Sequence, residues 1–226
     1  VTGVQTCALP ILIKIHQGKR VPFSISNCPK LLRGTMYKYE YKVNVHYCSF
    51  SNARFNNVRY RSGHITYSSF KNALFEKVDF ICVNMKNSKF KGTKFKNCLF
   101  FGCDLQDADF FGASFENVYF ISCNLKNIKN FMVNDNIKII KKYPEILLSQ
   151  EMKGVLAAMS QNSKLEKYHI LTINQKKPNY WMLEILLKKY HEQELKYFFQ
   201  KLLITNKQQY YTIHNYILAL SNYYKR

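Results

Sequence analysis

No run of apolar residues in this 226-residue chain approaches the ~20 that a membrane-spanning helix needs. Nothing reads as a Gly-rich phosphate loop or as a nucleophile elbow. His191-Glu192-Gln193-Glu194 lacks the second histidine of a zinc-protease helix and reads as a solvated helix face. Cys98 and Cys103 stand five apart with no histidine close in sequence, which is not a metal-ligand spacing. The six histidines are scattered. Together these gaps predict a protein with no catalytic residues, no cofactor and no metal, and so not an enzyme. Acidic residues are also scarce. Asp and Glu total 14 against 34 Lys and Arg, giving a net charge of +20 and a pI near 9.6.

What the chain does have is a period of five. From Phe50 to Leu125 every fifth residue is large and apolar. Sorted by every fourth repeat, these residues fall into four sets: Phe50, Phe70, Phe90 and Phe110; Phe55, Phe75, Phe95 and Phe115; Tyr60, Phe80, Phe100 and Phe120; Ile65, Met85, Leu105 and Leu125. Three sets are aromatic and one is aliphatic. Two residues before each large one stands a small or β-branched residue, such as Ala53, Val58, Cys98 or Ala108. Five is the period of neither a helix nor a strand and marks a repeat architecture. Segregation at twenty residues predicts a solenoid with four faces of five residues per coil, the large residues stacked inside.

Segments such as Ala53-Arg54-Phe55, Cys103-Asp104-Leu105 and Ala108-Asp109-Phe110 make the chain resemble the pentapeptide-repeat family. That resemblance implies a right-handed quadrilateral β-helix of about four coils, with an uncharacterised α-helical domain after it. Coils spaced by roughly 4.8 Å would make a rod on the order of 20 Å long. Some members of the family protect DNA gyrase and topoisomerase by presenting an acidic rod that mimics DNA. A chain at +20 departs from that pattern, which disfavours such a role.

Four segments are expected. Residues 1–11, VTGVQTCALPI, match the conceptual translation of a sequencing adapter and are set aside, which leaves the natural N-terminus and any leader unread. Residues 12–44 form a lead-in, broken by Pro22, Pro29 and Gly34, with alternation from Tyr37 to Val45 suggesting a strand that feeds the first coil. Residues 45–131 form the β-helix. Residues 132–226 form a helical domain of four to five helices. There, Pro144 suits a first helical turn and Pro178 opens a helix carrying Trp181, Ile185 and Leu186. Ser163–Glu166 and Thr205–Gln208 have the form of capping boxes. A cytoplasmic location is expected.

Without Cys7, six cysteines remain, and Cys48, Cys98, Cys103 and Cys123 occupy the small inward position, where a thiol behaves as a small hydrophobe. Cys103 and Cys123 stack one coil apart, so a disulfide is conceivable, but one stacked pair is no disulfide framework.

Function is then expected on outward positions. Those flanking the third face include Arg59, Arg61 and Asp79, then Ile81, Leu99, Phe101, Tyr119 and Ile121, an apolar interface stripe that free surface would not carry. Either the chain's own C-terminal helices cover it or a partner does, a homodimer included. A second surface is a basic face of Lys71, Lys89, Lys91, Lys94 and Lys96. Positive charge is spread over both parts of the chain, which favours anionic partners: nucleic acid, an anionic membrane surface or an acidic protein. Paired carboxylates such as Asp107 and Asp109 are expected to be hydrated. The leading expectation is a non-enzymatic protein-interaction or scaffold protein. The alternative is binding of nucleic acid or another polyanion through the lysine-rich face, with base stacking supplied by outer tyrosines such as Tyr67 or Tyr119.

Overall fold

The computed structural model describes residues 14–16, 19–21, 24–26, 39–173, 177–205 and 210–225. The adapter-like residues 1–11 lie outside these. The chain divides into two compact units, Val1–Lys141 and Lys142–Arg226.

The first unit opens with β1 (Lys14–His16) paired antiparallel to β2 (Lys19–Val21). A ladder of short strands follows: β3 (Ser24–Ser26), β4 (Tyr39–Tyr41), β5 (Asn44–His46), β6 (Arg54–Asn56), β7 (Arg59–Arg61), β8 (His64–Thr66) and β9 (Leu74–Glu76). Then come β10 (Asp79–Ile81), β11 (Lys94–Lys96), β12 (Leu99–Phe101), β13 (Ser114–Glu116), β14 (Val118–Ile121) and β15 (Ile137–Ile140). All pairings from β3 onward in this unit are parallel. One face stacks β6, β9, β11 and β13, the next β4, β7, β10, β12, β14 and β15, and a third β3, β5 and β8. The fourth is held by isolated bridges, Ser49 to Ser69 to Lys89 to Asp109 to Lys129. The result is a four-sided β-solenoid joined to C-terminal helices.

The solenoid has about five turns rather than four. The extra length lies at its margins. The alternation read as a lead-in strand is two strands, β4 and β5, with a corner at Lys42 between them (φ 55°). At the other end β15 extends the ladder beyond residue 131. Val118 pairs with Ile137, one residue short of the twenty-residue coil, so the pentad frame is lost there although the strand remains.

The inward rings form continuous stacks. Phe50, Phe70, Phe90 and Phe110 follow one another at 4.9, 5.2 and 4.7 Å between centroids, and Tyr60, Phe80, Phe100 and Phe120 at 5.3, 4.8 and 4.7 Å. Neighbouring stacks meet edge-on, as Phe75 and Phe80 do at 67°. Both arrangements are favoured for aromatic pairs. Phe131 closes the column, its ring within 5.1–5.6 Å of Phe110, Phe115 and Phe120.

Each corner places one residue in the left-handed region, which asparagine tolerates well: Asn52, Asn57, Asn72, Asn87, Asn97, Asn117 and Asn127 hold such corners with φ between 52° and 59°. Gly92 shows the tightest corner, where a Cβ would meet Asn72 Oδ1 at 2.5 Å.

The second unit comprises α1 (Gln150–Gln161), α2 (Ser163–Glu166), an antiparallel pair β16 (Thr172–Ile173) and β17 (Lys177–Pro178), α3 (Tyr180–Leu187), α4 (Glu192–Thr205) and α5 (Ile213–Tyr224). Its core holds Met152, Leu156, Met182, Ile185, Leu195, Phe199 and Leu220.

Helix starts differ from those expected. Pro144 precedes any helix; α1 is capped by Ser149, whose Oγ accepts from the Met152 amide at 3.1 Å. Asn162, not Ser163, caps α2, its side chain accepting from Lys164 and Leu165. Pro178 ends β17, two residues before α3. Thr205 is the last residue of α4, Gln208 lies outside the described residues, and α5 is entered through Thr212, whose amide donates to Asn215 Oδ1 at 3.1 Å. At α1 and α2 a side-chain oxygen at a better-placed neighbour satisfies first-turn amides, whereas α3 starts after Asn179 without a side-chain cap bond.

Candidate functional site

With the tube filled by rings, the outward side chains carry whatever the solenoid recognises. Their columns are set by register: Arg59, Asp79, Leu99 and Tyr119 form one outer column of the longest face, and Arg61, Ile81, Phe101 and Ile121 the other. In this structure Ile81, Leu99, Tyr119 and Ile121 are buried and Phe101 is half-buried. The apolar stripe is therefore not open surface. Arg59 and Asp79 are buried beside it, joined by an Nη1–Oδ2 contact of 2.8 Å. Lys138, one coil on, lies with its ammonium 5.2 Å from the Tyr119 ring centre, in cation–π range.

The basic face is open. Lys71, Lys89, Lys91, Lys94 and Lys96 are all exposed. They are not equivalent. Lys96 is 2.9 Å from Glu116, and that hydrogen-bonded carboxylate holds its ammonium pKa above the usual lysine value. In the same column Glu76 sits on the other side of Lys96. Lys91 lies 5.3 Å from the centre of the exposed Phe111 ring. Of the tyrosines considered for base stacking, Tyr119 is buried, whereas Tyr67 is exposed but has one ring face against Tyr47, at 4.9 Å and 18°.

Carboxylates on the solenoid are tied into its ladders. Asp109 Oδ1 accepts from Asn130 at 2.7 Å and from the Phe111 amide at 3.1 Å, and Asp104 accepts from Asn124 and faces Lys86 at 3.0 Å.

The small inward position has a role that composition did not reveal. Ser88, Thr93, Cys98, Cys103 and Cys123 each donate to the carbonyl of a large inward residue twenty-three positions earlier, for example Thr93 Oγ1 to Phe70 O at 2.7 Å and Cys103 Sγ to Phe80 O at 3.2 Å. These thiols are more than small hydrophobes: they satisfy buried carbonyls. Cys82, Cys98, Cys103 and Cys123 form no disulfide, so the stacked pair Cys103 and Cys123 is unbridged. Burial pushes the Cys98 thiol up to about 12 and the Cys103 thiol well above its ordinary value, so neither is a ready nucleophile. Among the described residues no group of three His, Cys, Asp or Glu is placed to hold a metal ion, and no helix is long and apolar enough to cross a membrane.

A network in the helical unit gave no signal in the sequence. Glu166, buried, meets His169 Nδ1 at 2.5 Å and accepts from the buried Thr172 hydroxyl. The expected pairing of Ser163 with Glu166 would have used this carboxylate as a cap.

The solenoid geometry defines a repeat protein with four stacked faces. The family model for pentapeptide repeats matches residues 64–97 and 98–129, in eight copies, so this segment of the chain is built of pentapeptide repeats. Among solved structures it is similar to a pentapeptide repeat protein (Rfr23) from the cyanobacterium Cyanothece 51142, at 14% identity and a TM-score of 0.25, covering 41% of this chain and 60% of that one. It is also similar to QnrB1, a plasmid-mediated fluoroquinolone resistance protein, at 9% identity and a TM-score of 0.22, covering 53% of this chain and 92% of that one. No curated protein matches the chain.

Proposed function

We propose that the chain is a non-enzymatic interaction scaffold whose solenoid binds an acidic protein surface through Lys71, Lys89, Lys91 and Lys94. The observation that carries this reading is the exposure of these four lysines on two adjoining faces of a filled, regular rod, while the apolar stripe is buried. Parallel pairing holds outward residues at roughly 4.8 Å steps, so the charges sit on a fixed frame rather than in a mobile tail. Glu76 and Glu116, which flank Lys96 in the column beside that of Lys94, favour a protein over nucleic acid. A uniformly anionic phosphate backbone would be repelled by them, whereas a protein surface of mixed sign can match both charges.

The test is fluorescence anisotropy of a labelled Glu-rich peptide, and separately of labelled single- and double-stranded DNA, across a salt series. The reading expects peptide binding that weakens when the four lysines are changed to Gln. Tighter binding of DNA, with the steep salt slope of counterion release, would make nucleic acid the partner instead. No binding of either at low salt would discard the basic face.

A further inference from the structure

The helical unit contains a cavity of about 190 Å³ between α1, the β16–β17 pair and the start of α3. That is about six times the ~30 Å³ share of one water molecule, and smaller than a drug-sized pocket. Its walls are chemically sorted. Lys153 from α1 and Lys177 from β17 line it from different elements, and among the described residues no carboxylate lines it. Leu156, Pro178 and Tyr180 supply an apolar side.

The hydroxyls on the wall are committed in one direction. Ser160 Oγ donates to the Ala157 carbonyl at 2.7 Å, and Thr172 Oγ1 donates to Glu166, itself fixed by His169. A hydroxyl has one proton to give and two lone pairs. What these two hydroxyls have left to offer a ligand is therefore acceptor lone pairs. The site asks for a compact molecule with negative charge at one end and hydroxyl donors elsewhere. Two ammonium groups match the −1.5 to −2 charge of a phosphate monoester near neutral pH better than the single charge of a carboxylate.

We infer that this cavity binds a small polyol phosphate, its phosphate held by Lys153 and Lys177, its hydroxyls donating to Ser160 and Thr172, and its carbon skeleton resting on Leu156 and Pro178. This site is independent of the solenoid lysines.

Trp181, the single tryptophan, adjoins Tyr180 on α3 and reports on the site by fluorescence. The full chain is titrated with glycerol phosphate, inorganic phosphate and glycerol. Glycerol phosphate is expected to give a saturable change, inorganic phosphate a weaker one and glycerol none. Lys153→Ala and Lys177→Ala, both at exposed positions, should each weaken glycerol phosphate by about tenfold. Ser160→Ala should weaken glycerol phosphate and leave inorganic phosphate unchanged. Absence of a saturable response to glycerol phosphate, or a response unaltered in both lysine variants, would overturn the inference. Equal affinity for inorganic phosphate would reduce the site to a simple anion site and overturn its specificity for polyols.

Discussion

Arg59 and Asp79 occupy the same position on adjacent coils, and their side chains meet at 2.8 Å with only 2% and 0% of their surface exposed. An ion pair this deep carries a large desolvation cost, which the close contact counters. Arg59→Met removes the cation 2.8 Å from the buried Asp79 carboxylate and should cost about 3–5 kcal/mol in urea unfolding. The double change Arg59→Met with Asp79→Leu should recover most of that loss, since a well-packed apolar pair often replaces a buried ion pair without penalty. Equal instability of the single and double variants would show that the pair is not isolated from its surroundings.

Phe90 stands in the middle of its stack, fully buried, with Phe70 and Phe110 at 5.2 and 4.7 Å. Phe90→Ala removes both ring contacts and leaves a cavity that the bridged coils above and below hold open. The expected cost is about 3–5 kcal/mol by denaturant unfolding. Phe131→Ala, at the half-buried end of the tube, should cost less. A reversed order would mean that closing the end contributes more than filling the middle.

Cys98 links stability to pH. Its thiol is held neutral by burial, with a pKa of about 12 against 9.0 ordinarily, so the folded state keeps a proton that the unfolded state loses first. The stability associated with it is fully present below the ordinary thiol value and is lost progressively as the pH rises toward the folded one. The slope in that window approaches about 1.4 kcal/mol per pH unit. Cys98→Ala keeps a small residue at the inward position, as Ala53 and Ala73 do, and should flatten the alkaline limb of a Tm-against-pH curve. An unchanged limb would place the alkaline loss elsewhere.

The inward residues were legible because each must fill the same place in every coil; Phe50 through Phe120 repeat the solution in plain sight. The margins were not. Ile137–Ile140 is a strand because its backbone continues the ladder of Val118–Ile121, yet the offset of one residue removes it from the pentad frame. Helix starts at Ser149 and Asn162 compete with nearby residues of equal capping chemistry, and only the approach of the chain decides between them. The lysines were readable as a face, but the pairing of Lys96 with Glu116 depends on stacking at twenty residues and on side-chain reach. The cavity beside Thr172 draws on α1, a strand pair and α3, a grouping that exists only after folding.

The central claim is that recognition resides on the lysine faces of the solenoid. The most direct measurement is amide chemical-shift mapping of the isotope-labelled chain as the Glu-rich peptide is added. The account predicts shifts clustered at Lys71, Lys89, Lys91, Lys94 and their exposed neighbours, with the Lys142–Arg226 unit unchanged. Shifts confined to that second unit, or to the buried stripe at Ile81 and Ile121, would contradict it.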